Sequence, residues 1–395
     1  MKSITPITPI TPITPITPKE LNLINTIETD LISFQVKDDP YLKMVKSEHY
    51  NLVFDKVNGN MIRFGKSVES EEDPNVAPAF EILDYEISTK CDNGCKFCYK
   101  SNSSNGETVE LNQFKSNISK LKSINPIWCQ VAFGVGSLKY IPDLEEMLQF
   151  TRDNDIVPNI TVACFEDNRQ NLDAIKRLCG ACAISNYNLS RTMELADYMS
   201  REGNLQQINI HQLLSEETFD NCTTLLQYMS EHPENPVNAV VFLWVKPCGR
   251  AVNNFHPVTQ DQLNNLINFA LENNIGIGFD SCSAHFVLQN EKMQHYKEFI
   301  EPCESTLFSA YLSVDGDFSP CSFSTTFKHE DTININEVSE IKDLWYSKCY
   351  NSFREKLLSN CRSCPTYNLC DSNIDKLFYE LNLGKRAVKE QKFHG

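Results

Sequence analysis

The residues best equipped for chemistry are Cys91, Cys95 and Cys98, in the run Thr89-Lys90-Cys91-Asp92-Asn93-Gly94-Cys95-Lys96-Phe97-Cys98-Tyr99. Three thiolates on one short loop can each take a different iron of a [4Fe–4S] cube. The fourth iron is then left without a protein ligand and can hold a small molecule. A fully ligated cluster or a tetrahedral zinc more often serves structure. Zinc held by these thiolates plus a ligand from elsewhere is the competing reading of the same loop.

CxxxCxxC followed at once by Tyr99, with the aromatic Phe97 before the third cysteine, resembles the radical S-adenosylmethionine (SAM) enzymes. The resemblance implies that the open iron chelates the amino and carboxylate groups of SAM, and that one-electron reduction yields a 5′-deoxyadenosyl radical that abstracts hydrogen. It also implies that Phe97 lies against the adenine and that Tyr99 borders the cofactor. Further on, Gly134-Val135-Gly136-Ser137 looks like the family's Gly-Gly-Glu region, which contacts the SAM amino group. Gly134, Gly136 and Ser137 are the matching positions, and Ser137 stands where the family has an acid. Ser185 and Asn186 are the expected contacts to the ribose. Cys282, a thiol at the mouth of a barrel, is the expected catalytic hydrogen donor, or else a small buried residue.

The elements that must position these groups follow from periodicity. Leu83, Tyr85 and Ile87 alternate as in a strand, whereas Leu111, Phe114, Ile118 and Leu121 recur at helical steps. Strands are expected at 127–133, 157–163, 182–186, 207–213, 238–245 and 275–279, with helical stretches between them. Repeated βα units imply parallel strands joined by right-handed crossovers. The fold class is therefore α/β, and the resemblance implies an open, partial (β/α)6 barrel. Ligands sit at the C-terminal ends of such strands, and Cys91 falls just past the first of them. Asn159, Thr161, His211, Gln212, Lys246, Arg250 and Asp280 also fall at strand ends, where capping is as natural a role as catalysis.

A second cysteine set follows. Cys303, Gly316 and Cys321 flank a turn at Val314-Asp315-Gly316-Asp317, and Cys361 and Cys364 form a CxxC. This resembles the auxiliary-cluster domains called SPASM or twitch. Cys370 extends the CxxC to CxxCx5C, but no cysteine follows it, which departs from the SPASM pattern. One auxiliary [4Fe–4S] cluster on Cys303, Cys321, Cys361 and Cys364 is the resulting expectation, with zinc in the same sites as the alternative. Cys129, Cys164, Cys179, Cys182, Cys222, Cys248 and Cys349 read as core residues.

The expected organisation is a disordered tail over 1–20 built on five Ile-Thr-Pro copies, and an N-terminal segment over 21–78 with a hairpin at 51–64 turned by Asn58-Gly59. A radical SAM barrel over 79–290 and an auxiliary-cluster domain over 291–395 complete it. The 36 basic against 52 acidic residues give a net charge of −16, which disfavours nucleic acid and anionic membranes as partners. Sixteen cysteines without a secretory signal fit a reducing cytoplasm with metal-bound thiolates.

The resemblance implies action on a peptide or protein, foremost a ribosomally synthesised precursor peptide (RiPP). Excision of a tyramine unit by a splicease, crosslinking and epimerisation all lie within that class. The 21–78 segment lacks a winged-helix pattern, so a separate leader-peptide-binding partner is expected, together with an electron donor of flavodoxin or ferredoxin type. A dehydrogenase of a small molecule and a noncatalytic zinc protein are the alternatives.

Overall fold

The computed structural model describes residues 25–359, apart from 29–32, 48–49, 58, 66–75, 204, 206, 247, 253, 301–302 and 324–331. The Ile-Thr-Pro tail and Cys361, Cys364 and Cys370 lie outside the described residues.

Seven parallel strands form the centre: β6 (Ile82–Glu86), β7 (Gln130–Gly134), β8 (Val157–Ala163), β9 (Ala181–Ser185), β10 (Gln207–Leu214), β11 (Ala239–Trp244) and β12 (Ile277–Phe279). Each pairs with its sequence neighbour, in the order β12-β11-β10-β9-β8-β7-β6. Six helices make the crossovers: α1 (Leu111–Ile124), α2 (Leu144–Asp153), α3 (Arg169–Leu178), α4 (Leu189–Ser200), α5 (Phe219–Glu231) and α6 (Gln260–Glu272). This is the expected open (β/α)6 arrangement, extended by one short strand.

Period-two sequence decides which way each strand faces. Leu83, Tyr85 and Ile87 are buried under the helices with Val131, Phe133, Ile160, Val162, Cys182 and Ile184. The intervening residues, including Gln130, Ala132, Asn159, Thr161, Ser185, Asn209 and His211, are half-exposed on the concave face. α1 buries Phe114, Asn117, Ile118 and Leu121, the face its helical spacing announces. Asn168 and Asn188 cap α3 and α4 by accepting from Asn171 and Arg191 amides, and Thr259 and Gln262 close a capping box on α6.

The sheet does not stop at β6. β13 (Ser309–Leu312) pairs parallel to β6, and β14 (Asp317–Ser319) and β15 (Ile333–Asn334) continue antiparallel. The turn between β13 and β14 is the expected one, with Gly316 at φ +82°. Beyond it, α8 (Ile341–Trp345) follows the short α7 (Ala284–Val287) in chain order and leads into α9 (Lys348–Ser359). These C-terminal elements are tied down by the buried Trp345 indole, which donates to the Ala77 carbonyl, and by Arg354, which donates twice to the Thr306 carbonyl.

The N-terminal region holds more structure than its sequence suggests. β1 (Asn25–Glu28), β2 (Ser33–Asp38), β3 (Leu42–Lys46), β4 (Asn51–Asp55) and β5 (Met61–Phe64) form an antiparallel meander, of which the expected hairpin is only the last pair. Its apolar residues Val36, Val45, Leu52 and Phe54 pack on Ile127, Cys129 and Val157, at the N-terminal end of β7 and β8. A buried network, Arg63 to Glu81 at 2.6 Å and Tyr50 to Glu81 at 2.5 Å, fastens the meander at that end. The cysteine loop leaves β6 at the opposite, C-terminal edge of the central sheet.

Candidate active site at the C-terminal edge of the sheet

Residues 87–110 leave β6 and return to α1 as one pinned loop. The Val109 amide donates to Ile87, the Thr89 amide to Glu107 and the Cys91 amide to Ser103, each at 2.9 Å. Cys91 is buried, and Cys95 and Cys98 are half-buried. Burial pushes the Cys91 and Cys95 thiols above their ordinary range, and the neighbouring thiols push them further. Thiols close enough to raise one another's pKa suit a cation, which would reverse that effect on binding. The donor set therefore fits an iron cluster on Cys91, Cys95 and Cys98.

Two glycine-containing turns wrap this loop. An added Cβ at Gly136 would lie 2.1 Å from the Lys90 carbonyl oxygen and 2.9 Å from the Cys91 Cβ, so only glycine admits this contact. The Ser137 amide donates to that same carbonyl at 3.1 Å. Past β11, Gly249 has φ +59°, and a Cβ there would meet the Tyr99 and Cys98 carbonyl oxygens at 2.3 and 2.4 Å. Arg250 completes the clamp: its amide donates to Cys98, its Nε to the Cys95 carbonyl at 2.8 Å and its Nη1 to the Asn102 carbonyl at 2.9 Å. A planar guanidinium can reach two carbonyls at once, and its charge favours the thiolate form of Cys91.

Aromatic rings form one wall. Phe97 packs against Tyr187 at 5.3 Å between ring centres and edge-on against Phe255 at 5.7 Å, and Tyr187 also meets Phe165 at 5.9 Å. Tyr187 lies close enough to Cys95 and Ser185 for both to act on its hydroxyl, so the Ser185 expected at the ribose does come near the cysteine loop. Asn186 is engaged in the scaffold, donating to Gln212 Oε1 and accepting from Thr192 Oγ1, each at 2.8 Å. Cys282 lies in the turn just past β12, on the same edge.

The missing acid has a neighbour. Glu166, in the loop after β8, accepts from the Leu138 amide at 3.0 Å and lies beside the Ser137 side chain, and burial holds its carboxyl above the usual range. Sequence spacing could not find it, because it reaches the Gly134–Ser137 turn from another strand.

Facing the same opening, Tyr311 of β13 donates to Glu86 Oε2 at 2.7 Å, and Lys100 lies 2.6 Å from the Tyr311 hydroxyl and 3.3 Å from Glu86 Oε1. Lys246 pairs with Asp280 at 2.5 Å. Tyr99 stacks at a tilt on Phe323 with ring centres 4.8 Å apart, and it hydrogen-bonds Ser322. The chain beside Cys321 therefore lies against the chain beside Cys98. Buried Cys248, whose thiol burial raises to about 11, feels both Cys98 and Cys321. Cys303 and Cys321 are half-buried, and the other two expected auxiliary ligands lie outside the described residues. The other expected core cysteines are buried, except Cys349, which is half-buried.

Residues 303–365 match the SPASM family, described as an iron–sulfur cluster-binding domain. No curated protein matches the chain in sequence. Among solved structures, it is similar to Streptococcus suis SuiB bound to S-adenosylmethionine, at 13% identity and TM-score 0.60 over 88% of this chain and 94% of that one. SuiB bound to its precursor peptide SuiA aligns at 11% identity and TM-score 0.63, over 85% and 94%. Native anSMEcpe with bound AdoMet and the Cp18Cys peptide aligns at 14% identity and TM-score 0.52, over 78% and 98%. The chain therefore shares the fold of these structures and carries a match to the SPASM iron–sulfur cluster-binding domain over 303–365.

Proposed function

We propose that this chain is an enzyme that uses a 5′-deoxyadenosyl radical to modify a peptide, most specifically a ribosomally synthesised precursor. The observation that carries this is the meeting, at one edge of an open parallel sheet, of the three-cysteine loop, the Phe97 wall and the Gly134–Ser137 turn. When bound, a cluster on Cys91, Cys95 and Cys98 supplies the electron that cleaves SAM.

The chain's own residues bind and orient. Phe97, backed by Tyr187 and Phe255, offers a flat face for the adenine. Gly134 and Gly136 permit close backbone approach to SAM, and Tyr99 borders it. Glu166, beside Ser137, supplies the acid that the turn lacks and accepts from the SAM amino group. Ser185 serves the ribose, with Asn186 as the residue that holds its strand end. Arg250 fixes the loop so that the three thiols stay together. Cys282 donates a hydrogen atom on the substrate side. Cys303, Cys321, Cys361 and Cys364 would hold an auxiliary cluster, which would supply a means to give or take an electron, and a flavodoxin-type or ferredoxin-type protein would deliver the reducing electron.

Peptide as the substrate class is supported by the likeness to SuiB with SuiA and to anSMEcpe with its peptide. A separate leader-binding protein then presents the substrate. The test is anaerobic purification with iron and sulfide quantified, followed by SAM and dithionite. About eight irons and 5′-deoxyadenosine are expected for two four-iron clusters. Zinc without deoxyadenosine would overturn the enzymatic reading.

A further inference from the structure

Large apolar side chains that stand in water gather at one place on this molecule. Phe165, Tyr187 and Val252 are 43%, 36% and 41% exposed, and they come from the loops after β8, β9 and β11. Phe165 meets Tyr187, and Tyr187 meets Phe97 of the cysteine loop. Val252 stands two residues past Arg250, whose amide donates to the Cys98 carbonyl. Single exposed apolar residues are ordinary, but a group of them inside a charged rim marks a docking surface.

The rim is basic on a chain whose net charge is −16. Lys96, Arg169 and Arg191 are exposed, and none of them makes an ion pair among the described residues. Arg191 lies over the Phe165 ring at 5.5 Å, so charge and apolar surface are continuous. Lys139 is neutralised by Asp92, and Asp167 is the exposed acid in the loops after β8, β9 and β11. The N-termini of α3 and α4 open on this same edge and add to its positive potential. The proposed function places SAM and substrate on the concave side of the cysteine loop. A reductant is left the outer side, where Asp92, Asn93, Gly94 and Lys96 are exposed.

We infer that this face docks the electron donor, an acidic one-electron carrier protein whose cofactor edge meets Phe165, Tyr187 and Val252. Encounters of this kind use small interfaces with a few apolar contacts, and complementary charge steers them. The inference rests on the reading that Cys91, Cys95 and Cys98 hold a reducible cluster.

The test is stopped-flow reduction of the iron-reconstituted protein by a strongly acidic bacterial flavodoxin in its hydroquinone form, with dithionite as the small reductant. The doubly reversed variant Lys96→Glu, Arg191→Glu should raise the half-saturating flavodoxin concentration about tenfold and leave dithionite reduction unchanged. Arg201→Glu, the same charge change at the far end of α4, should match the unaltered protein. Raising salt from about 50 to about 500 mM should slow the flavodoxin reaction of the unaltered protein and level the difference between it and the double variant. An unchanged flavodoxin dependence in the double variant, an equal loss with Arg201→Glu, or an equal loss with dithionite overturns the proposal. So does a flavodoxin that fails to reduce a cluster that dithionite reduces. A blocked acidic decapeptide is the competing probe: if it binds by calorimetry as tightly as flavodoxin and with the same dependence on Lys96 and Arg191, the face receives acidic peptide and the carrier assignment falls. Deoxyadenosine formed with SAM and dithionite reads the enzymatic proposal separately, so either can fail alone.

Discussion

At the scale of single residues, two carboxylates carry sharp expectations. If Glu166 accepts from the SAM amino group, Glu166→Gln should weaken SAM binding about tenfold, and an analogue lacking the amino group should bind both proteins alike. A carboxylate that only holds the Leu138 amide would weaken both ligands equally, and calorimetry separates the two outcomes. Asp84 makes the opposite kind of statement, about stability. Its folded pKa of about 6 lies above the ordinary 3.8, so the folded chain binds this proton more tightly than the unfolded chain. The resulting destabilisation is fully present above pH 6 and vanishes as pH falls through 3.8. Asp84→Asn should therefore stabilise the resting protein at pH 7.5 by on the order of 1 kcal/mol, discounted because the carboxyl is open to water in the barrel. The gain should fade between pH 6 and 4 in urea unfolding curves, and a gain independent of pH would refute the assignment. Asp84 was legible in outline, since Leu83, Tyr85 and Ile87 alternate with Asp84 and Glu86 and so place both acids on the other face. Glu166 was not, because nothing local to it marks the turn that it reaches.

Elements decide whether the three cysteines can act together. The loop from 87 to 110 has no regular structure of its own to hold its sulfurs, and the turns after β7 and β11 do so from both sides. Gly136→Ala places a methyl 2.1 Å from the Lys90 carbonyl oxygen, where backbone must shift. Bound iron after reconstitution should fall to less than about half, with far-UV circular dichroism unchanged because both sides of the contact lie in loops outside the helices and strands. Full iron retention would mean that the loop tolerates the shift. Gly134-Val135-Gly136 reads as a turn from sequence alone, and its closeness to Cys91 depends on β6 and β7 being parallel neighbours. The partnership of Gly249 and Arg250 with the same loop was less visible still. Arg250 follows Cys95 by 155 residues, and only the order of the strands in the sheet brings it back to the cysteine loop.

Over the whole molecule, the SPASM region and the barrel share one sheet: β13 hydrogen-bonds along β6, and Tyr311 reaches Glu86 beside the cysteine loop. Removing residues 291–395 would expose the edge of β6 and the buried Leu83 and Phe80 that pack with Leu312, Phe318 and Trp345. The truncated chain should be largely insoluble on expression, and recovery of a soluble, SAM-binding 1–290 fragment would show that the two parts fold separately. None of the described helices is long and apolar enough to cross a membrane. The sequence by itself determined the chemistry on offer and the class of fold. Cysteine spacing is local, and strand and helix periods are local, so both survive in a one-dimensional reading. The N-terminal meander beyond its last hairpin escaped that reading, because strands with few apolar residues depend on their neighbours for burial. Only the tertiary structure decided which residues from distant strands complete the site: Glu166 on the Ser137 turn, Tyr187 beside Cys95 and Arg250 on the loop. Those are contacts across long separations, set by strand order and register, and spacing along the chain does not encode them.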